Sequence, residues 1–430
     1  MIIHVVETGE TIYSISKKYQ IPVTTLINEN GITNPGNLVV GQTIVIIYPD
    51  ITYTVQNGDY LIGIAAKYDV SVMQLLRNNP FLADRTYLIP GETIVISYRT
   101  DKTSPISLSG YAYPFIDETV LRKTLPYLTY LNVFNYRITK DGDIVTIAEM
   151  DDTKLIQMAK SYGVAPIMFL STLSEKGIGS SEAIYTILTN PQIQEHLIEN
   201  VIDMLKRKGY YGINIYLQYI RPENQVLAEA YLIKFSQRLR SEGLRVVATV
   251  TPRMFIERTE IIYEELDYTT IAQNVDALLI SSYEWGTSFG PPASVTPVNI
   301  VCEILNHVTS QVSPDQVYLG LPIINYDWQL PYIPGESKAS AISNENAIEL
   351  AVAKGVSIEY NEVSQAPYYF YTNLNKEIHI VWFKDARSID AITNLIPEYG
   401  LKGMSIWNIM VFFTQMWFII DNKFVIEKIL

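Results

Sequence analysis

The chain has 430 residues, of which 48% are hydrophobic and 18% charged, and its formal net charge is −13 at pH 7. This length permits one large domain with smaller modules, and the acidic balance argues against nucleic acid and acidic membranes, which are bound through clustered Lys and Arg. The single cysteine, Cys302, excludes an intramolecular disulfide, and four scattered histidines lack metal-ligand spacing, so no metal or other cofactor is expected.

The N-terminal hundred residues contain one sequence pattern twice. The opening segment 1–7 has neither a basic region nor a long apolar run, so we expect no secretory signal peptide. Equivalent residues then recur about 50 positions apart, which indicates two copies of one module, at residues 3–48 and 52–98. The order predicted for each copy is β-α-α-β. The recurring pairs are Gly9 with Gly58, Tyr19 with Tyr68, Leu26 with Leu75, Asn30 with Asn79, Gly41 with Gly91 and Thr43 with Thr93.

Both copies resemble the LysM module. The resemblance is carried in the first copy by Val6, Gly9, Thr11, Ile15 and Tyr19, and by the closing residues Gly41, Ile44 and Ile46. It implies binding of N-acetylglucosamine polymers such as peptidoglycan or chitin, in a groove between the first strand–helix loop and the second helix–strand loop. The groove residues that it implies are Gly9, Glu10, Thr11 and Ile12 with 32–37, and Gly58, Asp59, Tyr60 and Leu61 with 81–86. A module used only for protein contacts is the alternative.

From residue 106 onward, apolar runs of strand length alternate with amphipathic stretches of helix length, a pattern typical of parallel α/β architecture. Eight runs with helical crossovers predict a (β/α)8 TIM barrel over residues 106–430. The predicted strands are Ile106–Tyr113, Tyr127–Tyr136, Val164–Thr172, Gly212–Ile220, Arg245–Pro252, Ala277–Trp285, Val317–Tyr326 and Lys402–Ile409.

Helices are predicted between these strands, and one connection is too long to be a single helix. The predicted helices include Asp151–Tyr162, Pro191–Lys208, Gln225–Glu242 and Asp385–Tyr399, with Asp151-Asp152 and Asn190 as N-terminal caps. The seventh connection, about 327–382, predicts an inserted α+β subdomain that contains a helix at Asn344–Lys354. The uncharged stretch Met404–Ile420 contains Asn408, Thr414 and Gln415, so it predicts a buried strand and helix rather than a membrane span.

The predicted C-terminal ends of the barrel strands, where a TIM barrel places its active site, are rich in aromatic residues. Aromatic faces pack against the apolar faces of pyranose rings, so the pattern favours a sugar cleft, although some of these rings are expected only to fill the core. The candidate substrate-binding residues are Tyr113, Asn135, Trp285, Tyr326, Trp328 and Trp407.

The barrel segment resembles glycoside hydrolase family 18, in particular its spore cortex-lytic N-acetylglucosaminidases with two N-terminal LysM modules. The matching segments are 280–286, 290–293, 319–322, 326–328, 365–368, 381–383 and 405–408. The resemblance implies substrate-assisted hydrolysis, in which a Glu on the fourth strand protonates the leaving oxygen while the substrate's acetamido oxygen attacks C1. It also implies that an Asp two residues earlier orients the acetamide, that Tyr283 bonds it, and that Trp407 floors the −1 sugar subsite.

The fourth strand departs from the family pattern D-x-x-D-x-D-x-E. The chain has Tyr211, Asn214, Tyr216 and Gln218 at those positions. Alternate residues share one face of a strand, so 214, 216 and 218 should all face the barrel mouth. A Gln amide has no proton to release near neutral pH, so Gln218 cannot replace the acid. The unperturbed pKa of a tyrosine side chain is about 10, and we expect the ring of Tyr216 to crowd the place of the acetamido group.

Three hypotheses follow. The first is a peptidoglycan- or cortex-binding protein that is catalytically impaired or inactive. The second is an active N-acetylglucosaminidase with a displaced acid, for which Glu223, Glu284, Asp327 and Asp385 are candidates, while Lys384 stands where the family pattern suggests an acidic residue. The third is a structural spore-coat protein. We further expect a monomer, deposited at the boundary of spore coat and cortex from the mother cell.

Overall fold

The computed structural model describes residues 1–85, 87–100, 102, 104–147, 150–171, 181–216, 224–252, 254–257, 260–263, 267–282 and 287–430. Its strands are β1 Ile2–Val5, β2 Thr43–Ile46, β3 Pro49–Thr54, β4 Thr93–Tyr98, β5 Ser104–Ala112, β6 Tyr130–Ile138, β7 Ile144–Thr146, β8 Ala165–Ser171, β9 Gly212–Tyr216, β10 Arg245–Val250, β11 Met254–Glu257, β12 Glu260–Tyr263, β13 Ala277–Ile280, β14 Val317–Pro322, β15 Asn325–Leu330, β16 Ser340–Ile342, β17 Glu359–Asn361, β18 Ala366–Thr372, β19 Ile378–Trp382, β20 Gly403–Trp407 and β21 Phe424–Ile426.

The α-helices join these strands in the alternating order that the sequence predicts. They are α1 Ile12–Tyr19, α2 Val23–Asn30, α3 Leu61–Lys67, α4 Val72–Asn78, α5 Glu118–Thr124, α6 Thr153–Ser161, α7 Ser181–Thr189, α8 Pro191–Lys208, α9 Gln225–Ser241, α10 Tyr268–Asn274, α11 Val298–Thr309, α12 Asn344–Lys354, α13 Ala386–Tyr399 and α14 Thr414–Lys423.

Eight parallel strands close into a barrel in the order β5-β6-β8-β9-β10-β13-β14-β20, and β20 pairs with β5 to complete the ring. This confirms the predicted TIM barrel. One set of alternate strand residues fills the interior with rings such as Tyr111, Phe169 and Tyr318, while the other set packs outward against the helices. Every barrel strand therefore points its C-terminal end at the same mouth.

Two details of the predicted elements are wrong. The strand predicted to end at Tyr326 ends at Pro322, and Asn325 begins the antiparallel strand β15. The two strands are nearly contiguous in sequence without a polar break, so the apolar pattern cannot separate them. Of the predicted cap pair, Asp151 accepts from Thr153 N at 3.3 Å, whereas Asp152 makes no capping bond. Its buried carboxylate instead accepts from Tyr210 Oη at 2.6 Å. In contrast, Asn190 caps α8 as predicted.

The segment between β14 and α13 forms the α+β insertion. Its sheet has the order β16-β15-β19-β18-β17, and α12 covers one face of that sheet. The covered face carries Tyr369, Val381 and Phe383, and the opposite face carries Trp328 and Ile380. The insertion is thus a separate small core beside the C-terminal mouth of the barrel.

The N-terminal copies, module 1 (residues 3–48) and module 2 (residues 52–98), contain the same hydrogen-bonding arrangement around one asparagine. In module 1 the side chain of Asn30 donates to Leu26 O and Val45 O, each at 3.0 Å, and accepts from Val45 N at 2.6 Å. Asn79 makes the same set of bonds in module 2, to Leu75 and Val95. The repeated asparagine therefore ties the second helix to the closing strand, which satisfies backbone groups that would otherwise be buried without partners.

Both modules are docked on the large domain. In module 1 the backbone O of Val40 accepts from Ile358 N of the insertion at 2.8 Å. A Cβ on Gly41, whose φ is +89°, would lie 2.0 Å from Ile358 O, so only glycine permits this approach. In module 2 the guanidinium of Arg77 lies 2.7 Å from Asp421 and is buried with it. The stretch Met404–Ile420 forms β20 and much of α14, and within the described residues no helix is long and apolar enough to cross a membrane.

Candidate functional site

Aromatic rings form the floor of the barrel mouth. Trp407, the last residue of β20, is partly exposed, and its ring centroid lies 5.0 Å from that of Tyr111 and 5.2 Å from that of Phe134. Tyr113 lies at the same end of β5, with its ring centroid 6.4 Å from that of Trp407. These contacts fix the indole in one orientation and leave part of its surface accessible. The floor can therefore take the apolar face of a sugar ring.

The floor continues onto Phe115, which the sequence did not single out. Its ring stacks on Tyr113 at 5.1 Å, and its side chain is 55% exposed. An exposed phenylalanine three residues beyond β5 has no signature motif, and its stacking on Tyr113 connects it with the site. The partly exposed rings of Phe115, Tyr113 and Trp407 together extend the apolar surface outward from the mouth.

Asn214 lies below this floor and is completely buried. Its Nδ2 donates to Tyr111 Oη at 2.9 Å and to Asn132 Oδ1 at 3.2 Å, while its Oδ1 accepts from Thr249 Oγ1 at 2.7 Å. Burial raises the pKa of Tyr111 far above its ordinary value, so the phenol remains a neutral partner in this network. The amide of Asn214 is thus fully used in holding neighbouring strands together, and it supplies no ionisable group to the mouth.

Tyr216 ends β9 on the same face, one step nearer the mouth. Its Oη lies 2.5 Å from Thr251 Oγ1. Its ring centroid lies 6.2 Å from that of Phe169 in the aromatic cluster of the barrel interior. The ring of Tyr216, which contacts Phe169 and is hydrogen-bonded through its hydroxyl, occupies the space above Asn214. The position that the resemblance assigns to an acetamide-orienting carboxylate is therefore filled by a phenol hydrogen-bonded to Thr251, one residue beyond β10.

Several predicted site residues cannot be placed. Gln218, Tyr283 and Trp285 lie outside the described residues, as do Glu223 and Glu284. Tyr211 is described and lies at the opposite, N-terminal end of β9, where its ring is 6.2 Å from that of Tyr130. It is therefore remote from the mouth.

Trp328 and Asn135 are not accessible to a ligand in this structure. Trp328 is 1% exposed, it packs with Ala339 and Ile380, and its Nε1 donates to Gly290 O at 3.2 Å. Asn135 is completely buried and donates to Met150 O at 3.0 Å. Neither side chain reaches an open surface in this structure, and their role in direct substrate contact stays a prediction. Tyr326 is only partly buried and packs edge-on against Trp328, with the ring centroids 5.5 Å apart.

The two described candidates for a displaced acid are both engaged elsewhere. Asp327 accepts from Tyr371 Oη at 2.7 Å and lies 2.9 Å from His379 Nδ1 within the insertion. Asp385 is buried at the start of α13, where it accepts from Arg387 N at 2.9 Å and pairs with the guanidinium of Arg387. Neither carboxylate has an oxygen directed at the mouth without a partner of its own.

Lys384 adds a buried amine next to Asp385. Burial lowers the pKa of Lys384 to about 7, and the side chain makes no ion pair within the described residues. Its backbone oxygen accepts from Asn344 Nδ2 at 2.5 Å. Because burial disfavours the charged form, this amine keeps its positive charge over a narrower pH range than an exposed lysine does.

The first loops of the two modules share one backbone design. Glu10 accepts from Glu7 N at 2.9 Å, and Asp59 accepts from Gln56 N at 2.7 Å; these backbone bonds lower the pKa of each carboxyl group. Gly9 and Gly58 adopt φ values of +84° and +90°, as the turn requires. The acidic residues predicted in the grooves therefore shape the loop.

The surfaces of these loops differ between the modules. Thr11 caps α1, and its Oγ1 accepts from Ser14 N at 3.1 Å, whereas Tyr60 at the equivalent position makes no cap and is 65% exposed. The Tyr60 ring lies over Gly63, where a Cβ would be 2.9 Å from Cζ of the ring. Ile12 is buried in the module 1 core, whereas Leu61 is only partly buried, and the groove contact of both residues stays a prediction. Module 2 thus presents the more aromatic loop.

Comparison with known proteins agrees with this architecture. The family model for glycosyl hydrolases family 18 matches residues 111–410, and the model for the LysM domain matches residues 4–46 and 53–97. The chain is 31% identical over 433 residues to the cortical fragment-lytic enzyme of Bacillus anthracis, covering 98% of each chain. It is 30% identical to the enzyme of that name from Bacillus subtilis, covering 100% of this chain and 99% of the relative.

A solved structure extends the similarity to all three domains. The crystal structure of the Bacillus megaterium spore cortex-lytic enzyme SleL superposes with a TM-score of 0.81 at 32% identity, covering 100% of this chain and 99% of that chain. The arrangement of modules, barrel and insertion is therefore shared over the full length.

Proposed function

The chain belongs to glycosyl hydrolase family 18 and carries two LysM domains, and from this premise we propose that it binds N-acetylglucosamine-containing saccharides of the peptidoglycan or spore-cortex type with impaired or absent hydrolysis. The observation that carries the proposal is the pairing of an accessible Trp407 floor with a strand β9 whose Tyr216 hydroxyl is bonded to Thr251 at 2.5 Å. The floor supports binding. Strand β9 lacks the acid and the carboxylate that substrate-assisted cleavage requires.

The chemical argument concerns two separate groups. A general acid at the family position contributes 10²–10⁴-fold in rate, and the Gln at 218 has no proton to give. An acetamide-orienting carboxylate at 216 would stabilise the positive charge that develops on the substrate's acetamido group, and a phenol of ordinary pKa about 10 does not. Loss of both leaves the barrel with a sugar surface and without the reaction's electrostatics.

The competing hypothesis of an active enzyme needs another acid within reach of the glycosidic oxygen. Asp327 and Asp385 are held by His379, Tyr371 and Arg387, which weakens both candidates. Glu223 and Glu284 keep this alternative open, since they lie outside the described residues. A structural coat protein remains the third hypothesis, and absence of any saccharide binding by calorimetry would favour it.

The proposed setting follows from the relatives' names. Relatives at 30% and 31% identity are cortical fragment-lytic enzymes, which supports placement of this chain at the spore cortex or its boundary with the coat. We further propose that it acts there as a monomer, with module 2 holding the polymer through Tyr60 and the barrel mouth engaging a chain end or internal unit.

Digestion of purified cortex muropeptides tests the proposal. The protein should co-sediment with insoluble cortex peptidoglycan and should release no new N-acetylglucosamine reducing ends that mass spectrometry can detect. A relative with the full acidic motif is the positive control in the same assay. Steady release of cleaved product by this chain would replace the proposal with the displaced-acid hypothesis, and failure to sediment would replace it with the coat hypothesis.

A further inference from the structure

A cavity of about 270 Å³ lies where the two modules meet each other and the large domain. Module 1 contributes Glu29 and neighbouring residues of α2, module 2 contributes residues of α4 and β4, and the large domain contributes Tyr127 and residues in and before α14. Of the predicted sugar grooves, only Phe81 lines this cavity. One water molecule needs about 10–15 Å³, so the space between the modules can hold an organic group.

Glu29 brings a carboxyl group to this cavity with one of its oxygens unused. Its Oε1 accepts from Tyr98 Oη at 2.6 Å, a bond that joins module 1 to module 2. Its Oε2 is buried and has no hydrogen-bond partner among the described residues. A buried carboxylate oxygen without a donor is costly, so a ligand that supplies a donor would gain free energy here.

The cations that line the cavity are paired with other carboxylates. Arg77 lies 2.7 Å from Asp421, and Lys123 lies 3.1 Å from Asp84. Burial raises the pKa of Glu29 to about 7, and neither cation is close enough to lower it. Glu29 is therefore a carboxyl group that lacks a cation of its own.

Aromatic side chains form much of the remaining wall. Burial raises the pKa of Tyr98 and of Tyr127 far above the ordinary value, so both phenols stay neutral. A ring face attracts a cation, and an aromatic wall next to a carboxylate is a setting that favours an ammonium group over a neutral donor. The aromatic residues that line the cavity are Phe81, Tyr98, Tyr127, Phe412 and Phe418.

We propose that this cavity binds a primary ammonium group on a peptide, with Glu29 Oε2 as its acceptor. The inference rests on the proposed function for the kind of polymer, and it narrows the polymer to peptidoglycan. Peptidoglycan carries short peptides with free amino groups, whereas fully acetylated chitin carries no amino group. The aliphatic chain that bears the ammonium packs against the aromatic wall. The sugar grooves and this cavity would then read different parts of one polymer.

Calorimetric titration of the full chain with Nα-acetyl-L-lysine methylamide tests the inference, because this probe carries one primary ammonium and no other charge. Its Nε-acetylated derivative is neutral and should not bind. Glu29→Gln keeps an acceptor for Tyr98 and removes the charge, so it should weaken binding of the probe about 10- to 100-fold. Glu398→Gln, at an exposed position on α13, is the matched control and should bind the probe normally.

The affinity for the probe should also depend on pH. The carboxyl group of Glu29 must lose its proton before it can pair with the ammonium, and its pKa is about 7. The probe should therefore bind about 30-fold more weakly at pH 5.5 than at pH 8.5, while its own amine, of pKa about 10, stays charged at both. Glu29→Gln should abolish this dependence, and equal affinity of the parent protein at both pH values would contradict the inference.

The remaining outcomes separate this inference from the proposed function. Unchanged affinity in Glu29→Gln, equal binding of the charged and neutral probes, or no binding of either would overturn the ammonium site. Titration of the same protein with tri-N-acetylchitotriose tests the saccharide sites independently. Saccharide binding without probe binding would leave the proposed function standing, and probe binding without saccharide binding would keep the ammonium site and remove the proposed function. Saccharide binding by Glu29→Gln also shows that this variant is folded.

Discussion

The floor of the barrel mouth and the neighbouring strand β9 carry different kinds of requirement. The floor needs rings in suitable positions, and Trp407, Tyr113 and Phe115 supply them, with Tyr113 in contact with both of the other rings. Catalysis on β9 needs one proton and one negative charge at two exact places, and the chain has Tyr216 and Gln218 there. A binding surface is spread over many atoms, whereas acid catalysis depends on single groups. Binding and cleavage can therefore be lost separately in one barrel.

The contrast between the floor and β9 would be refuted if a single substitution on β9 restored cleavage. Replacing Gln218→Glu alone should leave the protein inactive, because the Tyr216 ring still fills the acetamide position. The double variant Tyr216→Asp with Gln218→Glu should gain about 10²–10⁴-fold in turnover of a chromogenic N-acetylglucosaminide. Thr251 then loses its partner at 2.5 Å, so the melting temperature is measured in parallel. Full activity from the single change would refute the crowding argument.

A second prediction concerns saccharide binding after the indole of Trp407 is removed from the floor. Trp407→Ala should weaken one class of sites for tri-N-acetylchitotriose about 30-fold, because a central aromatic anchor contributes about 2 kcal/mol. Calorimetric titration reports this as the loss of one class of sites, with the module sites unchanged. Tyr185→Ala, an exposed aromatic on the outer helix α7, is the matched control and should bind normally. Unchanged binding in the Trp407→Ala variant would show that the mouth is not a sugar site.

A third prediction concerns the effect of the buried amine of Lys384 on the free energy of unfolding. Its pKa is lowered from 10.5 to about 7 by burial, so between these values the unfolded chain binds more protons than the folded chain, and stability rises with pH. Below pH 7 the amine is charged in the folded protein, so the full free-energy cost of burying the charge lowers the stability there. Lys384→Met should raise the free energy of unfolding by roughly 2–5 kcal/mol near pH 6, with a smaller gain near pH 10.

Urea unfolding at the two pH values measures this effect. Lys354→Met, a partly exposed lysine at the end of α12, is the control and should show no comparable pH-dependent gain. A loss of stability in the Lys384→Met variant at both pH values would mean that the amine makes a favourable interaction with residues outside the described part of the chain.

The smallest expected effect concerns module 2. Tyr60→Ala should lower the affinity for insoluble peptidoglycan about 3- to 10-fold, because one exposed ring contributes about 0.5–1.5 kcal/mol. Tyr13→Ala on α1 of module 1 removes an equally exposed ring outside the predicted groove and should have no effect. Co-sedimentation at graded protein concentration measures both. Equal losses in the two variants would indicate nonspecific adsorption through exposed aromatic residues.

The sequence predicted the barrel, the insertion and both modules because each depends on regular patterns: alternation of apolar runs, one overlong crossover and a repeat. It also placed Trp407 at the mouth, since strand ends can be counted. The sequence could not predict which side chains from distant segments of the chain would contact each other. Thr251, one residue beyond β10, lies 2.5 Å from the Tyr216 hydroxyl, and Trp328 donates to Gly290 O. Asp152 follows a capping pattern locally, yet Tyr210 reaches it from another element.

A crystal soaked with tetra-N-acetylchitotetraose tests the central claim most directly. The account predicts an intact tetrasaccharide with one ring stacked on Trp407 and its acetamido group displaced from the position that Tyr216 fills. The same structure would show whether the Tyr216–Thr251 bond of 2.5 Å persists when the mouth is occupied. A cleaved saccharide in the mouth, or an acetamido group seated where Tyr216 now lies, would contradict the claim that this barrel binds sugar without cutting it.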